Sequence, residues 1–173
     1  MSKKIKSLEE LQQITTDLRS QGKKVVHCHG VFDLLHIGHI KYFQEAEAMG
    51  DILFVTITPD RFVNKGPGRP AFNEKHRTEA IAALDVVDYV AINKWSTTIE
   101  TIKLLKPDLY VKGPDYKDYK QDVTGNIQLE ENAVKSVGGK IAFTSDITFS
   151  SSSLINKRIS LLTDKQKKFL DKL

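Results

Sequence analysis

Cysteine is nearly absent from this chain: Cys28 is the only one in 173 residues. A lone thiol excludes an internal disulfide and fits a reducing, cytoplasmic setting. Long apolar runs are absent as well. No stretch approaches the ~20 residues of a membrane-spanning helix, and the opening MSKKIKSLEE has no signal-peptide core. A strong charge of one sign is also missing. The formal net charge is +4, with lysines scattered except for a small cluster in DKQKKFLDKL. That cluster reads as a solvated helix face rather than a nucleic-acid arm. Neither a nucleic-acid nor a membrane partner is expected, and a mildly basic domain suits a small polyanion. No His/Cys set has the spacing of a structural zinc site. No internal repeat, low-complexity tract or linker interrupts the sequence, so residues 1–173 read as one domain.

What the sequence does contain is a regular alternation of patterns. SLEELQQITTDLRSQG sets Leu8, Leu11, Ile14 and Leu18 at helical spacing and stops at Gly22, predicting a helix over about 7–21. KKVVHCHGVF reads as a strand and HIGHIKYFQEAEAMG as a helix ended by Gly50. DILFVTIT is almost wholly apolar and β-branched, as a strand buried on both faces should be. PDRFVNKGPGRPAF, rich in Gly and Pro, reads as a loop, and NEKHRTEAIAALD as a helix capped by Asn73. Strand VVDYVAI, helix STTIETIKLLK, strand PDLYVKG, a polar loop, helix IQLEENAVKSVGG and strand KIAFTSD follow. A last helical tail, about 151–173, opens on serines. Strict alternation implies an α/β, Rossmann-like three-layer sandwich: a five-stranded parallel sheet with helices on both faces. Ligands of such sheets sit beyond the C-terminal strand ends, where strand order reverses.

HGVFDLLHIGH follows the first strand. Gly30 and Gly38 allow a close approach of backbone or ligand. A helix beginning near His36 exposes unpaired N–H groups and the positive end of its dipole, which favours phosphate. His36 and His39, three residues apart, share one face of that first turn. Two imidazoles there can donate to phosphate oxygens and stabilise charge developing in phosphoryl or nucleotidyl transfer.

The stretch GVFDLLHIGHIKYF resembles the H-x-G-H signature of the nucleotidyltransferase superfamily that includes the cytidylyltransferases. With RPAFNEKHRTEAIAALDVVDYV, LKPDLYVKGPDY and the late serine run, the chain looks most like the adenylyltransferase domains of bacterial ADP-heptose synthases. Glycerol-3-phosphate cytidylyltransferases are a more distant likeness. The resemblance implies that His36 and His39 bind the triphosphate and stabilise the α-phosphate under attack. It also implies that Gly30, Val31, Phe32, Asp33 and Gly38 line the triphosphate. The expected reaction joins a nucleoside monophosphate from ATP or CTP to a phosphorylated sugar or polyol and releases pyrophosphate. Mg²⁺ is the implied cofactor, carried mainly by phosphate oxygens, with Asp33 and Asp115 as candidate carboxylates. The resemblance further implies a homodimer, and fusion to or partnership with a sugar kinase.

Other residues complete the expected site. Lys65 and Arg69 lie in the Gly/Pro loop, where cations can close over phosphates, and Arg77 opens the following helix within expected reach of the triphosphate or acceptor phosphate, so that Lys65 and Arg77 join His36 and His39 as the expected catalytic set. VKGPDY places Lys112, Gly113 and Asp115 at the end of the fourth strand, for a phosphate, a close turn and an acceptor hydroxyl or Mg²⁺. Ser151, Ser152 and Ser153 offer hydroxyls and helix N–H groups as a second anion site. His29 matches no histidine of the family and reads only as a pocket residue. The chain departs from the glycerol-type pattern in having no arginine before the serine run. It departs from the heptose type in carrying Pro114 where a second glycine is usual. Three rival classes fit less well. A tRNA synthetase shares HIGH but needs an anticodon domain and a late lysine loop. A dinucleotide oxidoreductase needs Gly-x-Gly-x-x-Gly after the first strand. A non-catalytic nucleotide-binding module has no need of both histidines.

Overall fold

The computed structural model describes residues 2–66, 68–117 and 125–145. The expected serine site (Ser151, Ser152, Ser153) and the helical tail lie outside the described residues. The strands are β1 (Val25–Gly30), β2 (Ile52–Ile57), β3 (Tyr89–Ile92), β4 (Leu109–Lys112) and β5 (Lys140–Phe143). The helices are α1 (Leu8–Ser20), α2 (Ile37–Glu47), α3 (Glu74–Ala82), α4 (Ile99–Leu105) and α5 (Ile127–Ser136). All five strands are parallel, in the spatial order β3-β2-β1-β4-β5. The reversal of strand order therefore falls between β1 and β4.

The central strands β1, β2 and β4 are largely buried because helices cover both faces of the sheet, whereas β5 at the edge is only partly covered. On one face α2 and α3 bring Phe43, Ala46, Ile81 and Ala82 against Val26, Cys28, Val55, Ile57, Val90 and Val111. On the other, α1 and α4 pack Leu8, Leu11 and Leu105 on Val25, Phe54 and Ala91. There α4 and α5 also set Ile102, Ala133 and Val134 on Tyr110. Alternation along β1 divides these faces: Val26 and Cys28 point one way, Val25, His27 and His29 the other.

The helix starts follow their capping chemistry. Ser7 and Glu10 form a reciprocal capping box on α1, and the Asn73 side chain accepts from the His76 N–H to start α3. One edge contact was not foreseen in the sequence. The N-terminal segment runs along β3, with the Lys6 N–H donating to Val90 O (2.9 Å) and the Val90 N–H to Lys4 O (3.0 Å). Ile5 thereby forms a parallel bridge with Val90 and blunts the sheet edge.

Candidate active site

The β1–α2 turn is built around aromatic packing. Phe32 takes a left-handed backbone (φ +47°) and turns its ring back over the strand end. A Cβ on Gly30 would lie 2.9 Å from the Phe32 ring, so Gly30 makes room for that ring rather than for a ligand. Phe32 in turn meets His39 edge-on at 5.2 Å and Phe43 at 5.0 Å. A residue held at positive φ in a buried turn is paid for by this packing.

His36 is the N-cap of α2, and its Nδ1 accepts from the Gly38 N–H at 3.1 Å. In the neutral ring the proton therefore sits on Nε2. His39, one turn on, stacks on His36 with ring centroids 3.8 Å apart and planes 21° apart. Two stacked imidazoles cannot both hold a charge cheaply. Burial lowers His36, and burial, with His36 and Lys65 adding to it, pushes His39 down to about 3. Both rings are neutral near pH 7 without a ligand.

A cleft lies over this turn, beyond the C-terminal ends of β1 and β4. It brings together His29, Gly30, Val31, Phe32, His36, Gly38 and His39 from the first turn, Lys65 from the loop after β2, and Lys112, Gly113 and Asp115 from the end of β4. Gly113 faces open space, so its backbone is approachable. Lys65, at the cleft mouth, is the loop's contribution. Enclosure by the cleft, then the charge of Arg69, lowers its ammonium from the ordinary value.

Lys112 is buried and ion-paired to Glu130 of α5 at 2.9 Å. Its ammonium also lies 4.3 Å from the centre of the Tyr116 ring. Burial opposes its charge, but Tyr110, Glu130 and Tyr116 outweigh that and raise its pKa. Lys112 is therefore a fixed cation at the edge of the cleft.

Three expected residues stand elsewhere. The Asp33 carboxylate is fully buried. It accepts from Arg69 Nε at 2.6 Å and from the Ala71 N–H at 2.5 Å, which leaves it turned away from the cleft. Arg69, 7% exposed in its side chain, is committed to the same pair. Arg77 does not reach the cleft wall. It is 1% exposed in its side chain and donates to Phe72 O (2.9 Å), Val31 O (2.5 Å), Thr58 O (2.8 Å) and the Asp60 carboxylate (2.6 Å). An arginine in the first turn of α3 opposes the helix dipole, and here these carbonyls and Asp60, not a phosphate, hold it there. Arg77 thus ties the β1–α2 turn to the β2–α3 loop, while Asp33 ties the loop that carries Lys65.

The cleft also includes Tyr42, Tyr116 and Thr144, which sequence reasoning missed. Tyr116 could have been found as the continuation of VKGPDY. Tyr42 has only its position, three residues after His39 on the same helix, as a signal. Thr144 and Glu130 had none, because they meet Lys112 only through tertiary packing.

Fold and site together define a class: a parallel α/β protein with a histidine pair, rather than a glycine-rich loop, at the N-terminus of the helix that follows the first strand. The cytidylyltransferase-like family matches residues 27–158, and the chain belongs to this family of nucleotidyltransferases. It is 43% identical over 138 residues to the "Bifunctional protein HldE" of Nitratiruptor sp., covering 79% of this chain and 30% of that protein. It is 39% identical over 166 residues to the protein of the same name from Trichlorobacter lovleyi, covering 94% of this chain and 32% of that one. The chain therefore spans about a third of the length of these relatives. Among solved structures, a lipopolysaccharide core biosynthesis protein from Thermoplasma volcanium aligns with TM-score 0.61 and 29% identity, over 73% of this chain and all of that one. Pantoate-beta-alanine ligase from Francisella tularensis shares the fold alone: TM-score 0.63 at 18% identity, over 97% of this chain and 76% of that one.

Proposed function

We propose that the chain transfers AMP from ATP to the phosphate of a sugar phosphate, with heptose 1-phosphate the favoured acceptor, and releases pyrophosphate. The observation that carries this reading is the stacked His36–His39 pair at the N-terminus of α2, set in a cleft at the strand-order reversal. The choice of ATP and heptose rests on the likeness to ADP-heptose synthase domains. In the reaction an acceptor phosphate oxygen forms a bond to the α-phosphorus while the bond from that phosphorus to the pyrophosphate oxygen breaks. No protein nucleophile is required, because a phosphomonoester dianion already attacks at neutral pH. The protein supplies position and charge stabilisation.

His36 and His39 donate N–H groups to the phosphates, alongside the first N–H groups of α2. Lys65 approaches from the loop, and Lys112 and Asp115 border the acceptor side. The donor set fits a divalent cation carried by the substrate. Among the described residues no three His, Cys, Asp or Glu side chains cluster as a metal site, and Asp115 is the one candidate carboxylate on the cleft wall. Mg²⁺ bound with the triphosphate neutralises its oxygens and makes the α-phosphorus more electrophilic. We place the reaction in the cytoplasm, as a homodimer, alone or joined to a sugar kinase. No helix of the described residues is long and apolar enough to cross a membrane.

The test is pyrophosphate release from a panel of ATP or CTP with heptose 1-phosphate, other sugar phosphates and glycerol 3-phosphate. ATP with a heptose phosphate is expected to turn over fastest. Preference for CTP with glycerol 3-phosphate replaces the substrate assignment, and no release with any pair overturns the enzymatic reading.

A further inference from the structure

Beside the cleft, β1 and β2 carry a polar chain that the phosphate chemistry does not use. His27 and His29 project from the same face of β1, and Thr56 is the register partner of His29 on β2. Thr56 Oγ1 lies 2.8 Å from His27 Nε2 and 2.9 Å from His29 Nδ1, and Thr58 Oγ1 lies 3.2 Å from His29 Nε2. His27 is fully buried beneath the Tyr110 ring, whereas His29 lies on the cleft wall.

Counting protons limits the direction of this chain. The Thr56 hydroxyl has one proton and two lone pairs, so at least one of the two rings donates to it. His27 Nδ1 is buried and has no partner among the described residues. A bare lone pair there costs less than an orphaned N–H. The proton of His27 is therefore on Nε2 and goes to Thr56. With the Thr56 proton assigned to His29 Nδ1, His29 Nε2–H donates to Thr58. Both His29 nitrogens are occupied from within the protein. The cleft meets only the carbon edge and face of an uncharged ring. Burial, reinforced by the nearby charge of Lys112, keeps both rings neutral: His27 is pushed down to about 3 and His29 lies well below its ordinary value.

We propose that His29, locked in one tautomer by Thr56 and Thr58, is a specificity-determining wall for the uncharged ring portion of a substrate rather than a phosphate ligand. This rests on the nucleotidyl-transfer reading of the same cleft. It assigns the two sides of the cleft different tasks. The His36, His39 and Lys65 side takes phosphate, and the His29 side packs on a sugar ring or base by shape.

The experiment joins histidine ¹⁵N NMR of the full chain with steady-state kinetics. In the wild type, His27 and His29 are expected as neutral Nε2–H tautomers from pH 8 to pH 5.5. His29 that titrates in that range, or carries its proton on Nδ1, overturns the proposal. Thr56→Val is expected to mix the His29 tautomers and raise one KM about tenfold. Its kcat should change less than threefold, and Thr56→Ser should restore both readouts. A raised KM for the sugar phosphate identifies the sugar as the ring against His29; a raised KM for the triphosphate identifies the base. His29→Asn is expected to raise the same KM and serves alone if Thr56→Val does not fold. Unchanged KM for both substrates in His29→Asn overturns the proposal. A wild-type protein that releases no pyrophosphate instead sinks the nucleotidyl-transfer reading, while the tautomer measurement still stands by itself.

Discussion

At the scale of single residues, the two motif histidines have separable tasks. His39 stacks behind His36, and neither belongs to the buried apolar clusters of the sheet. His39→Ala is expected to reduce turnover at least a hundredfold, the scale on which a donor to a developing oxyanion acts, with a small change in stability. His36 carries an extra duty, since its Nδ1 caps α2. His36→Ala should therefore lose turnover and also about 1 kcal/mol of stability, whereas His36→Asn keeps a cap and loses only turnover. Urea melts beside pyrophosphate assays separate the two; a fully active His36→Asn would sink the catalytic role. Both rings are neutral in the free protein, so a triphosphate bound beside them as proposed would raise their proton affinity. Calorimetry of ATP binding in two buffers of different ionisation enthalpy should show net proton uptake near pH 7, and proton release would contradict it.

These histidines were legible in the sequence because spacing places them on one helical turn after a strand. The fates of Asp33, Arg69 and Arg77 were not. Each is a charged residue in a motif-rich loop, and the sequence does not say whether its partner is a ligand or another loop.

At the scale of elements, the loop between β2 and α3 is held by two buried charge clusters rather than by apolar packing. Arg77 serves three backbone carbonyls and Asp60, so Arg77→Ala leaves buried acceptors unsatisfied and one carboxylate unpaired. A loss of about 3–5 kcal/mol is expected in urea unfolding. Arg77→Lys should rescue little of it, because an ammonium cannot reproduce the guanidinium fork. Wild-type-like stability of Arg77→Ala would return Arg77 to the list of ligand contacts. Asp33→Asn breaks the pair with Arg69 and frees the segment that presents Lys65. Its expected signature is faster limited proteolysis within residues 61–72 and a raised KM for the triphosphate. Intact proteolytic resistance with a normal KM would show that the clamp does not position Lys65.

At the scale of the whole molecule, the neutral buried histidines make a prediction about acid. The folded pKa values of His27 and His39 are pushed down to about 3 from an ordinary 6.5, and that of His29 is lowered in the same direction. Between these limits the unfolded chain binds more protons than the folded one, so stability increases with pH. It is fully present above about pH 6.5 and is lost progressively as pH falls toward 3. Urea midpoints should therefore drop steadily from pH 7 to pH 4.5, and His27→Gln should flatten that slope. A midpoint that rises on acidification would show that these rings are charged in the fold.

The sequence by itself determined the alternation of strands and helices, the parallel sheet and the position of the histidine pair. Those depend on local periodicity, caps and breakers, which a reader of the chain can count. The five helices and five strands predicted within the described residues are present, with ends shifted by one to three residues where pattern runs into turn. Only the tertiary structure decided which charges meet. It paired Asp33 with Arg69 and Lys112 with Glu130, enclosed Arg77 among carbonyls, and strung His27, Thr56, His29 and Thr58 together across two strands. The physical reason is that a buried charge or imidazole is defined by the partners that replace its water. Those partners come from elements far apart in sequence.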